Sequence, residues 1–464
     1  MSTKVYLVGA GPGSPDLITV RGRRILRQAD AVIYDYLVDK RILDEAKEGA
    51  ELICCDTLGK KRHSDGFSVH VEKINRLVIK KAKEGKRVLR LKNGDPSIFS
   101  RWSRELEALV KARIEFEVVP GVTAASAASC YSGIPLTDRR FASSCVFVTG
   151  HEDPSKKKSS LDWAHIAGAG TIVLYMAVEN LPKIVRQLID IGKSPDMACA
   201  IIQDASLVTQ KITTGTLRDI VAKAKQGKVK PPAIIIIGDV AKLEKRFNWL
   251  NKNRRILFTG LSKDRFFIKG QYIHLPMIKI APIESYKEFD AHLKKIANFD
   301  WLVFSSRYGV EYFFKRLKKV GGDSRMLHEL RIAAIGNSTK NRLKKFGLIA
   351  DLVPKEESSK GLVEEFAKID IKGARVFLPR SDLSDKGLQK ALEERGAIVA
   401  SIAAYKNIMP DNLPDLDLND FDEIMFTSPS GVRNFVKRYK RPPKRVKVSC
   451  IGKVTEEEAR RYML

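Results

Sequence analysis

The sequence predicts an α/β protein with largely parallel sheets, and three observations carry this prediction. The chain has 464 residues, which is enough for two or three domains. Its first half alternates short β-rich apolar runs with glycine-rich turns and helical stretches such as HVEKINRLVIKKAKEG, a pattern typical of α/β units. Its second half repeats one strand-turn-helix pattern, as DWLVFSSRYGVEYFF from Asp300 and DEIMFTSPSGVRNFV from Asp422. We therefore expect two α/β lobes in each half.

The composition indicates a globular protein whose positive surface could help to collect an anionic substrate. With 44% hydrophobic and 30% charged residues, and apolar runs too short to cross a bilayer, we expect a cytoplasmic protein without membrane insertion. Six cysteines lack CxxC spacing and do not cluster with the seven histidines, which favours reduced thiols and no metal site. The net charge of +28 is spread over both halves, so it favours a generally positive surface over a nucleic-acid arm, or reflects a basic proteome.

The first strand runs into a glycine-rich turn, KVYLVGAGPGSPDLITVRG, that resembles a dinucleotide-binding loop. The dinucleotide fingerprint requires a third glycine where this chain has Ser14. Pro12 and Pro15 each remove a backbone donor that a phosphate would use. We expect a loop that approaches a ligand closely without holding phosphate. The alternative is a nicotinamide-dependent oxidoreductase with Asp35 on a ribose, and Ser14 and the two prolines argue against it.

A second turn, RLKNGDPSIFSR, follows another apolar strand. Asp95 precedes Pro96 and is therefore directed away from helical geometry. Gly94 allows the backbone to approach a ligand, and Asp95 could accept hydrogen bonds from ligand hydroxyls or an amine. Pro120-Gly121 then separates a five-strand layer from a second group of strands, which predicts a ligand cleft between two lobes.

In the second half, hydroxyl residues stand where predicted helices begin. Such residues cap helices, and capping alone would explain each of them. Taken together, exposed helix N-termini in two facing lobes would suit the carboxylates of a substrate. The residues are Ser305, Ser306, Ser338, Thr339, Thr427, Ser428 and Thr455.

The first half resembles the uroporphyrinogen-III C-methyltransferases of the tetrapyrrole methylase family, from about residue 3 to about residue 250. The motifs that carry the resemblance, in order, are VYLVGAGPGSPDLIT, ADAVIYDYLV, LGKKRH, RLKNGDPSIFSR, VVPGVTAASAASCYSGIPLTDR, VFVTGH and LYMAVENL. The resemblance implies transfer of methyl groups from S-adenosylmethionine to uroporphyrinogen III, giving precorrin-2 on the route to sirohaem or cobalamin. It also implies a homodimer formed through this domain.

The resemblance assigns roles to individual residues. Asp35 matches the family's proton acceptor and Lys60 its proposed proton donor. The chain departs from the family at Asn93 and Ala205, where glycine is usual, and at Ser97 and Ser100; asparagine tolerates left-handed backbone, so Asn93 could preserve the turn. The positions matching or replacing cofactor-binding residues are Pro12, Asn93, Gly94, Asp95, Ile98, Thr123, Ala124, Met176 and Ala205.

From about Arg254 onward, the chain resembles uroporphyrinogen-III synthases, which close linear hydroxymethylbilane with inversion of its last ring. The motifs are FDWLVFSSRYGVEYF, IAAIGNSTKNRLKKFGLIADLVP, GLVEEF, VFLPRS, AAYKN, FTSPSGV and CIGKVT. Tyr405, Thr339 and Thr455 match functional positions, Tyr405 as an uncharged donor to the departing hydroxyl. We expect a methyltransferase domain at residues 1–247 and a synthase domain at 253–464, shortened at its C-terminus. The residues expected to bind substrate are Ser305, Ser306, Thr339, Thr427, Ser428 and Thr455.

A further alternative keeps the methylase fold but changes the substrate. An RNA methyltransferase with a non-catalytic C-terminal domain would account for the positive charge. It would not account for LGKKRH and VVPGVTAASAASCYSGIPLT beside a synthase-like half. The sequence therefore favours small tetrapyrrole substrates and no nucleic acid.

Overall fold

A computed structural model describes residues 4–58, 67–151, 161–207, 209–252, 254–262 and 271–464 of the chain. The chain divides into two compact units, with the first boundary between Ile256 and Leu257. Unit 1 also includes Pro414–Asp422, and unit 2 includes His274–Leu413 and Glu423–Leu464. In the described ranges, none of the helices has the length and apolar character needed to span a membrane.

Lobe 1 forms the N-terminal part of unit 1. Its elements are β1 (Lys4–Gly9), α1 (Val20–Leu26), β2 (Ala31–Tyr34), α2 (Lys40–Leu43), β3 (Glu51–Cys54), α3 (Phe67–Lys83), β4 (Val88–Lys92), α4 (Trp102–Lys111) and β5 (Glu115–Val119). The strands form one parallel sheet in the order β3-β2-β4-β1-β5. Every residue of the central strand β4 is buried, including two cations, Arg90 and Lys92. Parallel strands buried on both faces are expected where helices cover the sheet.

Lobe 2 completes the methylase-like half. Its elements are α5 (Ala124–Ser132), β6 (Cys145–Thr149), α6 (Trp163–Ala167), β7 (Thr171–Tyr175), α7 (Leu181–Asp190), β8 (Ala198–Gln203), β9 (Lys211–Thr216), α8 (Ile220–Gln226), β10 (Ala233–Ile237), α9 (Glu244–Phe247) and α10 (Trp249–Lys252). The sheet order is β6-β7-β10-β8-β9, and only the β6–β7 pair is parallel. The sequence prediction of largely parallel pairing is wrong for this sheet, because β8 and β9 are joined by a short turn without a crossover helix.

Lobes 3 and 4 make up the second half of the chain. Their elements, in chain order, are β11 (Arg255–Phe258), β12 (Gln271–His274), β13 (Lys279–Ala281), α11 (Lys287–Lys294), β14 (Trp301–Phe304), α12 (Arg307–Lys319), β15 (Arg331–Ala334), α13 (Asn337–Lys344), α14 (Ser359–Phe366), β16 (Arg375–Ser381), α15 (Gly387–Glu393), β17 (Ile398–Ile408), β18 (Glu423–Phe426), α16 (Pro429–Tyr439), β19 (Lys447–Cys450) and α17 (Lys453–Arg461). Lobe 3 has the sheet order β13-β17-β16-β14-β15, and lobe 4 has β12-β11-β18-β19. In lobe 3, β14, β15, β16 and β17 pair in parallel.

The repeat seen in the sequence is a structural duplication. β14 and β15 pair in parallel in lobe 3, as β18 and β19 do in lobe 4. Each copy begins with an aspartate whose carboxylate accepts the backbone N–H of an arginine on the neighbouring strand. Asp300 accepts from Arg375 at 2.7 Å, and Asp422 accepts from Arg255 at 2.8 Å. The same sequence signal therefore fixes the start of the same strand pair in both lobes.

Candidate functional site

Three glycines bring the loops of lobe 1 into direct backbone contact. A methyl group on Gly9 would lie 2.6 Å from both the Gly121 Cα and the Gly94 carbonyl oxygen, and one on Gly121 would overlap that same oxygen. Only glycine allows these backbones to pack so closely. The turn after β1 is therefore joined to the turns after β4 and β5, at the carboxyl edge of the parallel sheet, where ligands bind in α/β proteins.

The first loop is not built as a phosphate cradle. In a dinucleotide site the glycine turn leads directly into a helix whose N-terminus faces the pyrophosphate. Here Gly11 bridges to Gly94 in the next turn, and α1 begins only at Val20, with Thr19 as its N-cap. The Thr19 side chain accepts the Gly22 N–H at 3.1 Å. The sequence interpretation of this loop agrees with the structure.

The first loop also contacts a turn of lobe 2. The Ser14 N–H donates to Ser206 Oγ at 3.1 Å, and a methyl group on Gly13 would meet the Leu207 side chain at 2.8 Å. Ala205, buried at 8% exposure, lies between Asp204 and Ser206, which both have positive φ. Strained backbone of this kind concentrates at functional sites. Two residues expected at the cofactor site therefore lie on neighbouring loops: Pro12, which is half-buried, and Ala205, which is buried.

Asp95 ties two turns of lobe 1 together. One carboxylate oxygen accepts the Gly121 N–H at 2.8 Å, and the other accepts the Ser97 N–H at 2.7 Å. The left-handed residue in this turn is Gly94, with φ of 67°, whereas the neighbouring Asn93 keeps negative φ. The expectation that Asn93 preserves the turn by adopting left-handed backbone is therefore wrong, since Gly94 makes the turn. A methyl group on Gly94 would meet only the Ala124 nitrogen, at 3.9 Å, so the space beside it is open.

Tyr175, at the end of β7, connects the remaining cofactor positions and was missed by the sequence analysis. Its hydroxyl lies 2.7 Å from Thr123 Oγ1 and accepts the Ala125 N–H at 3.3 Å, at the start of α5. Its ring packs edge-on against the Phe99 ring, and the two ring centroids are 5.0 Å apart. The next residue, Met176, has φ of 53° and is 52% exposed. The sequence signal that could have indicated Tyr175 is a tyrosine at the end of an apolar strand, in TIVLYM.

The predicted cofactor positions thus converge on one region of unit 1. Ile98 and Ala124 pack against a buried cluster of lobe 2 that contains Tyr175 and Ala205. Gly94 faces the first residue of α5, and Met176 presents its side chain to solvent beside Tyr175. Among the described residues, the space beside Gly94 is open and Met176 is exposed, so neither residue is part of a filled hydrophobic core.

Asp35 follows β2 and lies in a group of charged side chains. It forms an ion pair with Arg90, and its second oxygen accepts the Asn93 N–H at 3.2 Å. Burial raises the pKa of Asp35, but Arg90 and Lys92 lower it by more, so the pKa lies below its ordinary value. Asp35 is therefore an ionised carboxylate at neutral pH, able to accept a proton. Lys60, the expected proton donor, lies outside the described residues.

Tyr405 lies on β17 in the core of lobe 3, at 5% exposure. Its hydroxyl is 2.8 Å from Ser306 Oγ, and Ser306 is the N-cap of α12, accepting the Gly309 N–H at 2.9 Å. Burial raises the pKa of Tyr405. The hydroxyl is therefore neutral and oriented by a capping serine, as an uncharged proton donor requires.

The other predicted substrate positions occupy two kinds of place. Ser305 and Thr427 follow β14 and β18, and Ser428 caps α16 by accepting the Gly431 N–H at 3.2 Å. Thr339 and Thr455 lie inside α13 and α17, where they are buried at 2% and 3% exposure. The N-caps of these two helices are Gly336 and Gly452, so the interpretation of the two threonines as caps is wrong.

Comparison with known proteins identifies both halves. Residues 4–221 match the family model described as Tetrapyrrole (Corrin/Porphyrin) Methylases, and residues 269–464 match that described as Uroporphyrinogen-III synthase HemD. A protein named Porphyrin biosynthesis protein HemD, from Ruminiclostridium josui, is 33% identical over 99% of this chain and 94% of its own length. The match therefore spans both halves.

Two relatives match the first half alone. An S-adenosyl-L-methionine-dependent uroporphyrinogen III methyltransferase of Methanosarcina barkeri is 46% identical over 52% of this chain and 92% of its own length. A Thermus thermophilus uroporphyrin-III C-methyl transferase, solved with S-adenyl homocysteine, is 33% identical, with a TM-score of 0.43 over 52% of this chain and 94% of that one. The chain belongs to the family of porphyrin-biosynthesis proteins in which a tetrapyrrole methylase is followed by a uroporphyrinogen-III synthase.

Proposed function

We propose that this chain is a bifunctional enzyme of tetrapyrrole biosynthesis. Its second half closes hydroxymethylbilane to uroporphyrinogen III, and its first half methylates that product to precorrin-2. The observation that carries the proposal is the match to one relative along almost the whole chain, with each half matching its own family model. A synthase-like second half counts against the RNA methyltransferase alternative, and the first loop counts against the oxidoreductase. We assign the methyltransferase to residues 1–247 and the synthase to 253–464.

In the methylase half, bound S-adenosylmethionine supplies an electrophilic methyl group. The residues that would hold it are Gly94, Thr123, Ala124, Met176 and Ala205, with Pro12, Asn93, Asp95 and Ile98 on adjoining turns. Carbon methylation requires an electron-rich pyrrole, which forms when a base removes the pyrrole proton. Asp35 is an ionised carboxylate and takes this role in the proposal, with Lys60 as the proton donor.

In the synthase half, the reaction begins with departure of a hydroxyl from the linear substrate. The Tyr405 hydroxyl donates a hydrogen bond to that leaving oxygen, and Ser306 fixes its direction. The N-termini of α12 and α16, with Ser305, Thr427 and Ser428 beside them, hold carboxylates of the flexible substrate. Thr339 and Thr455, in the first turns of α13 and α17, are assigned to the same substrate. Because burial raises the pKa of Tyr405, the donor stays protonated at neutral pH.

Replacement of Asp35 separates the two activities. Asp35→Ala should abolish methylation of supplied uroporphyrinogen III and leave its formation from hydroxymethylbilane at the full rate, because the two sites lie in different halves. Products are identified by chromatography and mass spectrometry. Glu51→Gln removes another carboxylate of lobe 1, half-buried on β3, and serves as the matched control. Methylation by Asp35→Ala at the wild-type rate would contradict the assignment of Asp35.

We further propose that the enzyme is a cytoplasmic homodimer joined through its methyltransferase domain, as the family resemblance implies. Light scattering of the full chain during size-exclusion chromatography would give twice the monomer mass of 52.0 kDa. A mass of one chain over the micromolar range would contradict the dimer. Fractionation of cells would test the location.

A further inference from the structure

Four side chains of alternating charge form a connected series in lobe 1 that ends at Asp35. Lys92 Nζ donates to Glu105 Oε2 at 2.9 Å, and Arg90 Nε donates to Glu105 Oε1 at 3.1 Å. The Arg90 guanidinium then reaches Asp35 through Nη2, while its Nη1 donates to the Leu91 carbonyl oxygen at 3.1 Å. We call these four residues the ion-pair series. It joins α4, which carries Glu105, to the strand end that carries the proposed base.

The three members of the series beyond Asp35 are much more buried than Asp35 itself. The Asp35 side chain is 29% exposed, whereas Arg90, Lys92 and Glu105 are 4%, 3% and 10% exposed. Burying three charged groups is costly, and a buried ion pair is often no more stabilising than apolar side chains of similar volume. The series therefore has little value as a device for stability alone. Its only accessible member is the carboxylate to which the proposed function assigns proton removal.

We propose that Glu105, which holds Arg90, and Lys92, whose charge acts on Asp35, are positioning residues that set the base strength of Asp35 in the methylation reaction. The proposal rests on the proposed function, in which Asp35 takes the pyrrole proton. Glu105 holds Arg90 by Nε, which leaves Nη2 directed at Asp35. Glu105 also pairs with Arg90 and Lys92, the two cations that favour ionised Asp35. The cations therefore keep Asp35 ionised without making its carboxylate too weak a base.

The charges predict opposite effects for the two positioning residues. The positive charge of Lys92 favours the ionised form of Asp35. Glu105 carries the same charge as ionised Asp35 and competes with it for Arg90 and Lys92. The other groups that face Asp35 in the described residues are the Asn93 N–H on the loop after β4 and Cys55 in the helical turn after β3. Burial raises the pKa of Cys55 to about 12, so this thiol is neutral and does not titrate with Asp35.

The test is the pH dependence of uroporphyrinogen III methylation by the full chain, with kcat and KM for S-adenosylmethionine measured at each pH. Lys92→Met should raise the acid limb of kcat by about one pH unit or more, because Asp35 loses an attractive charge. Glu105→Gln should move that limb downward and reduce kcat about tenfold near neutral pH, because a weaker base removes the proton more slowly. The KM for S-adenosylmethionine should not change in either variant.

The double variant Glu105→Gln/Lys92→Met removes one charge of each sign and keeps the test decisive if a single variant fails to fold. Its acid limb should return to within about half a pH unit of the wild-type position. Lys86→Met and Glu51→Gln, which break a half-buried ion pair of the same lobe away from Asp35, should leave the profile unchanged. These controls distinguish the effect of removing any charge from lobe 1 from the effect of removing a charge of the ion-pair series.

A purely structural role predicts an equal loss of rate at every pH. Shifts of the acid limb in one direction for both single variants, or unchanged limbs in the single and double variants, would overturn the proposal while Asp35 remained essential. If Asp35→Ala methylates at the wild-type rate, the assignment of Asp35 fails, and the positioning proposal fails with it. The two failures are therefore distinguishable.

Discussion

The proposed catalytic groups of the two halves, Asp35 and Tyr405, occupy opposite electrostatic environments. Asp35 is an ionised carboxylate whose neighbours are a buried guanidinium and a buried ammonium. Tyr405 is a neutral hydroxyl among aromatic rings, with a serine as its hydrogen-bond partner. The difference matches the chemistry: removing a pyrrole proton requires a negative base, whereas assisting departure of a hydroxyl requires a donor that stays protonated.

Removing the Tyr405 hydroxyl should have the largest effect on this comparison. We expect Tyr405→Phe to slow ring closure about 100-fold, because the variant lacks the hydroxyl that donates to the departing oxygen. The aromatic ring remains, so packing of the core should be preserved. Methylation of supplied uroporphyrinogen III should be unchanged. The measurement is the rate of uroporphyrinogen III formation from hydroxymethylbilane. Tyr308→Phe, whose ring centre lies 6.1 Å from that of Tyr405, is the control.

The pH profile of ring closure sharpens the same point. Burial raises the pKa of Tyr405 above the ordinary tyrosine pKa of about 10. The wild-type enzyme should therefore lose no activity through ionisation of Tyr405 at any pH below that ordinary pKa. A basic limb near neutral pH that disappears in Tyr405→Phe would contradict the assignment of an uncharged donor.

A smaller effect is expected at the proposed cofactor site, where Tyr175 joins the start of α5 to the loop carrying Phe99. Tyr175→Phe keeps the ring contact but removes the hydrogen bonds to Thr123 and Ala125. We expect S-adenosylhomocysteine to bind about fivefold more weakly, equivalent to ~1 kcal/mol. Isothermal titration calorimetry of the full chain measures this directly, with Tyr6→Phe on β1 as the control. Equal affinities in all three proteins would refute a role for Tyr175 in shaping the site.

The duplicated lobes give the finest comparison. Ser306 and Ser428 cap equivalent helices, so Ser306→Ala and Ser428→Ala should each cost about 1 kcal/mol and lower the melting temperature by similar amounts. Of these two serines only Ser306 also contacts Tyr405, so we expect Ser306→Ala to slow ring closure about threefold more than Ser428→Ala does, because the donor is then partly misdirected. Equal rates for the two variants would show that the contact does not orient Tyr405.

Local signals make much of the fold predictable. The turn after β1 was correctly separated from a dinucleotide loop because Ser14, Pro12 and Pro15 exclude a phosphate cradle by their own chemistry. The duplication was visible because Asp300 and Asp422 begin the same strand. Loops at the carboxyl ends of strands were recognisable from glycine and proline, which set backbone conformation locally.

Contacts between distant segments could not be predicted in this way. Glu105 appears in the sequence as an ordinary helix carboxylate, and only the fold brings it to Arg90 and Lys92. Tyr175 and Thr123 are 52 positions apart, so their hydrogen bond leaves no local pattern. The antiparallel pairing in lobe 2 depends on which strands become neighbours, and alternation of strand and helix does not specify that.

The most direct test of the account supplies hydroxymethylbilane and S-adenosylmethionine together to the purified full chain and identifies the tetrapyrrole formed. We predict precorrin-2 as the product with both substrates, and uroporphyrinogen III when S-adenosylmethionine is omitted. Recovery of uroporphyrinogen I alone, the product of uncatalysed closure, with no methylation of added uroporphyrinogen III, would contradict the proposed function of both halves.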